Sequence, residues 1–145
     1  MSRLISMGVA PYLLADSLAL SQAQRLVRRL CVQCKRPIEI SNQTRELFAY
    51  NKVPLSTETT FLYHPAGCPE CNDTGYSGRI ALMEMCAVDT ELSEMISQNA
   101  PQALMREVAQ RAGVLSLYQE GLIQVIAGQT TLAEIACLSY TAVTV

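Results

Sequence analysis

The residues best placed to do chemistry are four cysteines in two Cys-x-x-Cys pairs. Cys31 and Cys34 lie in "CVQCKRP", and Cys68 and Cys71 in "GCPECNDTGYSGR". Two residues between thiols put both sulfurs on one side of a tight knuckle, near the spacing of two corners of a zinc tetrahedron. Two knuckles complete a shell of sulfur alone, the pattern of a structural site with no open coordination position. A disulfide framework and a dithiol redox centre compete for the same residues. A thioredoxin-like centre needs one pair at a helix start after a strand, not two facing pairs. Paired double-cysteine motifs in a reducing compartment read as metal sites. The expectation is zinc on Cys31, Cys34, Cys68 and Cys71, shaping the chain rather than catalysing, because a closed shell admits neither water nor substrate.

The neighbours of these cysteines fit that reading. Gly67 precedes the second pair, Pro69 sits inside it and "NDTG" follows, all turn-forming residues. Four thiolates on zinc carry a formal charge of about −2, which Arg25, Arg28, Arg29, Lys35 and Arg36 around the first pair would offset; each taken singly reads as an ordinary solvated charge. His64 in "YHPAGC" reads as a loop residue, four thiols being already at hand. Cys86 in "RIALMEMCAV" and Cys137 in "LAEIACL" read as small buried hydrophobes.

Bulk properties narrow the function classes. The chain has 145 residues, half of them hydrophobic, with net charge −2 and a pI near 5.4. That supports a buried core and argues against nucleic acid as a partner, which calls for a basic excess. The opening "MSRLISMGVAPYLLADSLAL" is interrupted by Pro11 and Asp16 and lacks a small-residue cleavage site. No run approaches the roughly 20 apolar residues of a membrane span, so direct membrane insertion is not expected. A cytosolic, reducing location is the expectation.

The elements that must position the cysteines are mainly helical. Leu13, Leu14, Leu18 and Ala19 predict a helix from Pro11 to Leu20, while Arg25–Leu30 fits helix or strand. The stretch from Cys34 to Tyr63 reads as an insertion, with a short helix capped by Ser41 or Asn42 and turning Leu47 and Phe48 inward. "SGRIALMEMCAV" reads as a buried strand. Four helices are expected after it. One is capped by Asp89 with Leu92, Met95 and Ile96 inward, and one opens at Pro101 with Leu104, Val108 and Ala112 on its face. A third spans Leu115 to Ala127, and the last is set by a Thr131/Glu134 capping box with Leu132, Ile135 and Leu138 buried. Met83, Met85, Met95 and Met105 read as core filler.

"MGVAPYLLADSLALSQAQRLVRRLCVQC", "GCPECNDTGYSGRIALMEM" and "EGLIQVIAGQTTLAEI", in that order, resemble the carboxy-terminal part of the ATPases that drive type II secretion and type IV pilus assembly. The likeness covers nearly all of Arg3 to Ser139. It implies an α+β, mainly α fold: the tail of a RecA-like motor domain over residues 1–30, a tetracysteine zinc module over 31–78, and a strand leading into a carboxy-terminal helical domain over 79–145. It places Cys31, Cys34, Cys68 and Cys71 on the family's zinc ligands. By analogy with zinc-free pilus-retraction relatives, the module is an insertion between Arg25–Leu30 and Arg79–Glu84, fastened at its base by the metal. Chelation is then expected to unfold Cys31 to Tyr76 first.

The resemblance implies a hexameric, cytoplasmic motor, peripheral to the inner membrane, with ATP and Mg in the parent. Its implied partners are the inner-membrane platform protein and neighbouring motor subunits. No Gly-x-x-x-x-Gly-Lys-Ser/Thr loop or acidic Walker B pair occurs here, so this chain is expected to be an inactive carboxy-terminal fragment, with Met1 and Ser2 foreign to the natural sequence. The competing class is a stand-alone zinc-ribbon adaptor for nucleic acid or protein. Against it stand the acidic balance and the lack of aromatics among the basic residues.

Overall fold

The computed structural model describes residues 2–140. The reading of Met1 as foreign and the end of the 79–145 segment lie outside them. Along the described chain run α1 (Ser2–Ser6), α2 (Pro11–Ser17), β1 (Leu20–Leu30), β2 (Arg36–Glu39), α3 (Asn42–Tyr50), β3 (Phe61–His64), β4 (Tyr76–Ala87), α4 (Thr90–Ser97), α5 (Gln102–Arg111), α6 (Leu117–Ile126) and α7 (Leu132–Ile135). The fold is thus α+β, with two small two-stranded sheets, β1–β4 and β2–β3, among the described residues. The ambiguous Arg25–Leu30 stretch is strand. The helix expected to reach Leu20 stops at Ser17, where Leu18 turns extended.

Contacts divide the described chain into two compact units, one from residues 2–23 and 84–115, the other from 24–83 and 116–140. β1 and β4 contribute residues to both.

In the first unit α2 packs on α4 and α4 on α5, around Leu14, Leu92, Ile96, Met105 and Val108. Pro11 occupies the first turn of α2, where its missing N–H costs nothing. Asp89 caps α4 as expected, its carboxylate accepting the Leu92 N–H at 2.9 Å. The α5 expectation was rotated. Met105 and Val108 are buried, whereas Leu104 and Ala112 are exposed. Positions 104 and 105 differ by about 100° around a helix, and the 105/108 stripe is the one that meets the core.

In the second unit β2 and β3 pair antiparallel with Ile38 opposite Leu62. Ser41 caps α3 by accepting the Thr44 N–H at 3.1 Å. Phe48 and Leu47 turn inward as expected, and Phe48 is completely buried. Phe48, Val53 and Leu62 share one core with Val27, Leu82, Leu122, Val125, Ile135 and Leu138. The Ser116 cap of α6, closed by a reciprocal bond to Gln119, was not foreseen. Ile135 and Leu138 of the expected stripe are buried, and Leu132 packs partly buried against the same core.

Two expectations of burial fail. In β4 only Leu82 is fully buried, while Met83 and Met85 are 41% and 55% exposed. Cys86 is half-buried and Cys137 exposed. In β4 the reason is that strand residues alternate faces, and a dense apolar run is covered on both only where layers lie on both sides; Cys137 lies instead on the 3-10 turn Ala136–Tyr140. Met95 and Met105 do pack into the first unit's core.

Candidate metal centre

The first knuckle is fixed at its start by a strand end. Cys31, directly after β1, donates its N–H to the Gly75 carbonyl at 3.0 Å, joining the two cysteine segments through backbone alone. Cys31 then accepts from the Cys34 and Lys35 N–H groups at 3.4 and 3.0 Å, closing the turn. The second knuckle is a single 3-10 turn, Pro69–Cys71, followed by Asn72 and Asp73 with φ of 50° and 58°. Asn and Asp are among the few side chains that tolerate this left-handed region. The Asp73 N–H returns to the Cys68 carbonyl at 2.9 Å, and the Thr74 hydroxyl donates to the Cys71 carbonyl at 2.6 Å.

Gly75 closes the knuckle at φ +75°. A Cβ there would lie 2.3 Å from the Pro65 Cβ and 2.9 Å from its Cα, so only glycine fits.

These turns bring together all four sequence-predicted ligands. Their sulfurs lie within 4.8 Å of one another. The Cys31–Cys68, Cys34–Cys71 and Cys68–Cys71 separations are 3.9, 3.8 and 3.6 Å. A regular tetrahedron with metal–sulfur bonds of about 2.3 Å has edges of about 3.8 Å, so the donor set fits a thiolate-bound divalent ion. Bonded sulfurs stand about 2.05 Å apart, and all six cysteines are free thiols. Cys31, Cys34 and Cys71 are buried and Cys68 is half-buried.

The backbone is arranged to receive negative charge. Cys71 Sγ accepts the N–H groups of Cys68 and Gly75 at 3.3 and 3.2 Å. Burial pushes the Cys71 thiol up, but these two donors, with the neighbouring thiols of Cys68 and Cys34, outweigh it and bring the group to about 7. Burial, with the sulfurs around it, pushes Cys68 up to about 12. A divalent cation reverses that, because a coordinating thiol loses its proton outright.

The basic cluster is spent elsewhere. Arg28 donates to the Glu134 carboxylate at 2.6 Å through its guanidinium and at 3.1 Å through its backbone N–H, and stacks 4.2 Å from the Tyr76 ring centre. Glu134 is thereby held below the usual carboxylate range, chiefly by the hydrogen bond from Arg28. Arg29 bonds the Ser77 carbonyl. Lys35 bonds the Gly128 carbonyl at 2.8 Å over the Tyr63 ring. Arg25 and Arg36 are exposed. Among the described bonds none runs from these five side chains to a sulfur; the groups that bond one directly are the backbone N–H groups of Cys68 and Gly75. His64 is also apart from the sulfurs; it ends β3 rather than lying in a loop, exposed, with Nδ1 3.2 Å from the Pro65 carbonyl.

Sequence reasoning missed the supports around the knuckles. Leu30 donates its N–H to the Gln129 carbonyl at 2.8 Å, and Thr130 its hydroxyl to the Arg28 carbonyl at 2.9 Å. Tyr76 Oη lies 3.0 Å from Thr131 Oγ1. Glu134, read as half of a capping box, turns its carboxylate to Arg28 while Thr131 caps the Glu134 N–H.

Fold and centre define a two-unit α+β chain carrying a tetrathiolate cluster able to hold a metal ion. It belongs to the type II/IV secretion system protein family, whose model matches residues 1–137. It is 41% identical over 135 residues to the type IV pilus assembly ATPase PilB of Myxococcus xanthus, covering 92% of this chain and 24% of that protein. It is 41% identical over 135 residues to the type II secretion system ATPase E of Vibrio cholerae, covering 92% and 26%. Against the type II secretion system protein E of Dickeya dadantii it is 36% identical over 136 residues, covering 93% and 26%. The chain thus spans about a quarter of the length of these relatives. No helix among the described residues is long and apolar enough to cross a membrane.

Proposed function

We propose that this chain is the carboxy-terminal region of a hexameric cytoplasmic ATPase that powers type II secretion or type IV pilus assembly. In this reading residues 1–30 trail from its RecA-like core, 31–78 form a zinc module and 79–145 carry the following strand and helices. The observation that carries it is the convergence of four free sulfurs, all within 4.8 Å of one another, in a member of this family. Cys31, Cys34, Cys68 and Cys71 would hold one structural zinc, which supplies a fixed tie between two turns and no reactive position. ATP and Mg belong to the parent motor, since the sequence holds no phosphate-cradling loop.

The work of the module is to present a surface, either to the inner-membrane platform protein or to a neighbouring subunit. Exposed Ile38, Tyr50 and Phe61 on and around its hairpin support that reading. The motor would thus sit at the inner membrane through its partners. Elemental analysis of the purified chain tests the metal: one zinc per chain is expected, and none overturns the reading. In the full-length motor, replacing Cys68 and Cys71 by serine is expected to abolish secretion or piliation and leave nucleotide binding largely intact. Equal loss of both refutes the surface role.

A further inference from the structure

The four sulfurs are not equivalent, and the asymmetry gives the centre a second chemistry. Three are buried, at 2%, 5% and 5% exposure for Cys31, Cys34 and Cys71, whereas Cys68 is only half-buried and so the most accessible of the four. The Cys71 sulfur stands 3.6 Å from it, at the other end of the same 3-10 turn. The pair across the knuckles, Cys31 and Cys68, stands 3.9 Å apart, but each belongs to a different segment. A bond within one turn needs only an approach of about 1.5 Å by two side chains. A bond between knuckles needs a longer approach, about 1.9 Å, by side chains on two segments whose spacing the Cys31–Gly75 hydrogen bond already sets.

We propose that the centre is an oxidant-sensitive latch, in which Cys68 is oxidised first by hydrogen peroxide and Cys71 resolves it. This rests on the zinc reading above. The Cys68 thiolate attacks one peroxide oxygen, the O–O bond breaks, and hydroxide leaves to be protonated to water. The Cys71 thiolate then attacks the resulting sulfenic acid, the S–O bond breaks, a second hydroxide leaves and is protonated, and the S–S bond forms. Two thiolates lose two electrons in all, and one peroxide becomes two waters. Cys31 and Cys34 alone then remain as ligands, too few for a closed shell, so the ion is released. A disulfide inside one knuckle leaves the two knuckles untied, the opposite of what a disulfide between them would do.

The test uses the intact chain with Cys86 and Cys137 replaced by serine, which removes the two thiols outside the cluster. Metal content is measured first; absence of zinc refutes the structural-metal reading itself. On the zinc-loaded chain, hydrogen peroxide is titrated with a chromogenic zinc chelator present, and disulfides are mapped by peptide mass spectrometry. The expected result is one zinc released per Cys68–Cys71 disulfide, with metal retention restored by a dithiol reductant and added zinc. A first disulfide at Cys31–Cys34 or between the knuckles overturns the proposal while leaving the metal reading intact. So does zinc retained after peroxide in large excess.

Discussion

Gly75→Ala is the substitution that asks most of the metal centre. The residue sits at φ +75°, where an L side chain costs about 1–2 kcal/mol. Its new methyl would meet Pro65 at 2.3 Å from Cβ and 2.9 Å from Cα, and the Ala66 nitrogen at 3.2 Å. Two of these three atoms are backbone, so the chain itself must shift. The shift endangers two bonds that only this residue makes, its N–H to Cys71 Sγ and its carbonyl to the Cys31 N–H. Each is worth about 1 kcal/mol. The sum is about 3–4 kcal/mol against the metal-bound form, or roughly 100–1000-fold in zinc affinity. Gly113→Ala is the control: φ is +86°, yet no atom lies within 4 Å of the added Cβ, so only the conformational cost applies and zinc affinity stays unchanged. Chelator competition on both variants decides the matter. If Gly75→Ala binds zinc within threefold of wild type, the knuckle does not depend on the contact with Pro65, and the account of this turn is wrong.

Three further outcomes follow from the same geometry. Leu122→Ala removes a completely buried side chain from the second unit's core and is expected to cost about 3 kcal/mol in chemical denaturation. Glu134→Gln keeps the shape and loses the charge facing Arg28, so its denaturation midpoint at neutral pH falls below wild type. Because the folded carboxylate titrates below its ordinary value of 4.5, its contribution is complete above that pH and fades as pH falls through the lowered value. The gap between wild type and Glu134→Gln therefore closes on acidification; a gap that is constant with pH refutes the ion pair. Thr130→Val leaves the Arg28 carbonyl without its hydroxyl donor inside a buried site, and a loss of about 1–2 kcal/mol is expected by the same denaturation measurement.

The sulfur cluster was legible because its signal is local: residue type, a spacing of two, and turn formers on either side. Caps were legible for the same reason, as at Ser41 and Asp89. What could not be read depends on partners far along the chain. "AQRLVRRLC" carries both periodicities, and it is strand because β4 lies beside it. Met83, Met85 and Cys137 looked buried because apolar composition says nothing about which face is covered. The basic residues near the first pair read as an offset to the thiolates taken together and as solvated charges taken singly; their partners lie far along the chain, Arg28 on the Glu134 carboxylate and Lys35 on the Gly128 carbonyl.

Those distant partners also change what metal removal should do. Read from sequence, residues 31 to 76 form an arm tied only at its base, and chelation should unfold all of it. The structure instead puts Phe48, Val53 and Leu62, from the middle of that stretch, in one core with Leu122, Val125 and Ile135. Gln119 adds a 3.0 Å bond to the Asn51 carbonyl, and Gly128 packs against Tyr63, where a Cβ would stand 2.6 Å from the ring. Burying a Phe and a Leu contributes several kcal/mol without any metal. Chelation is therefore expected to loosen two short stretches, 31–35 and 67–75, while α3 and β3 stay protected with α6. Hydrogen exchange read by mass spectrometry on zinc-loaded and chelated protein distinguishes the two behaviours. Loss of protection across α3 at the same rate as the knuckles would show that the shared core does not hold without the ion, and that the whole stretch is one cooperative piece.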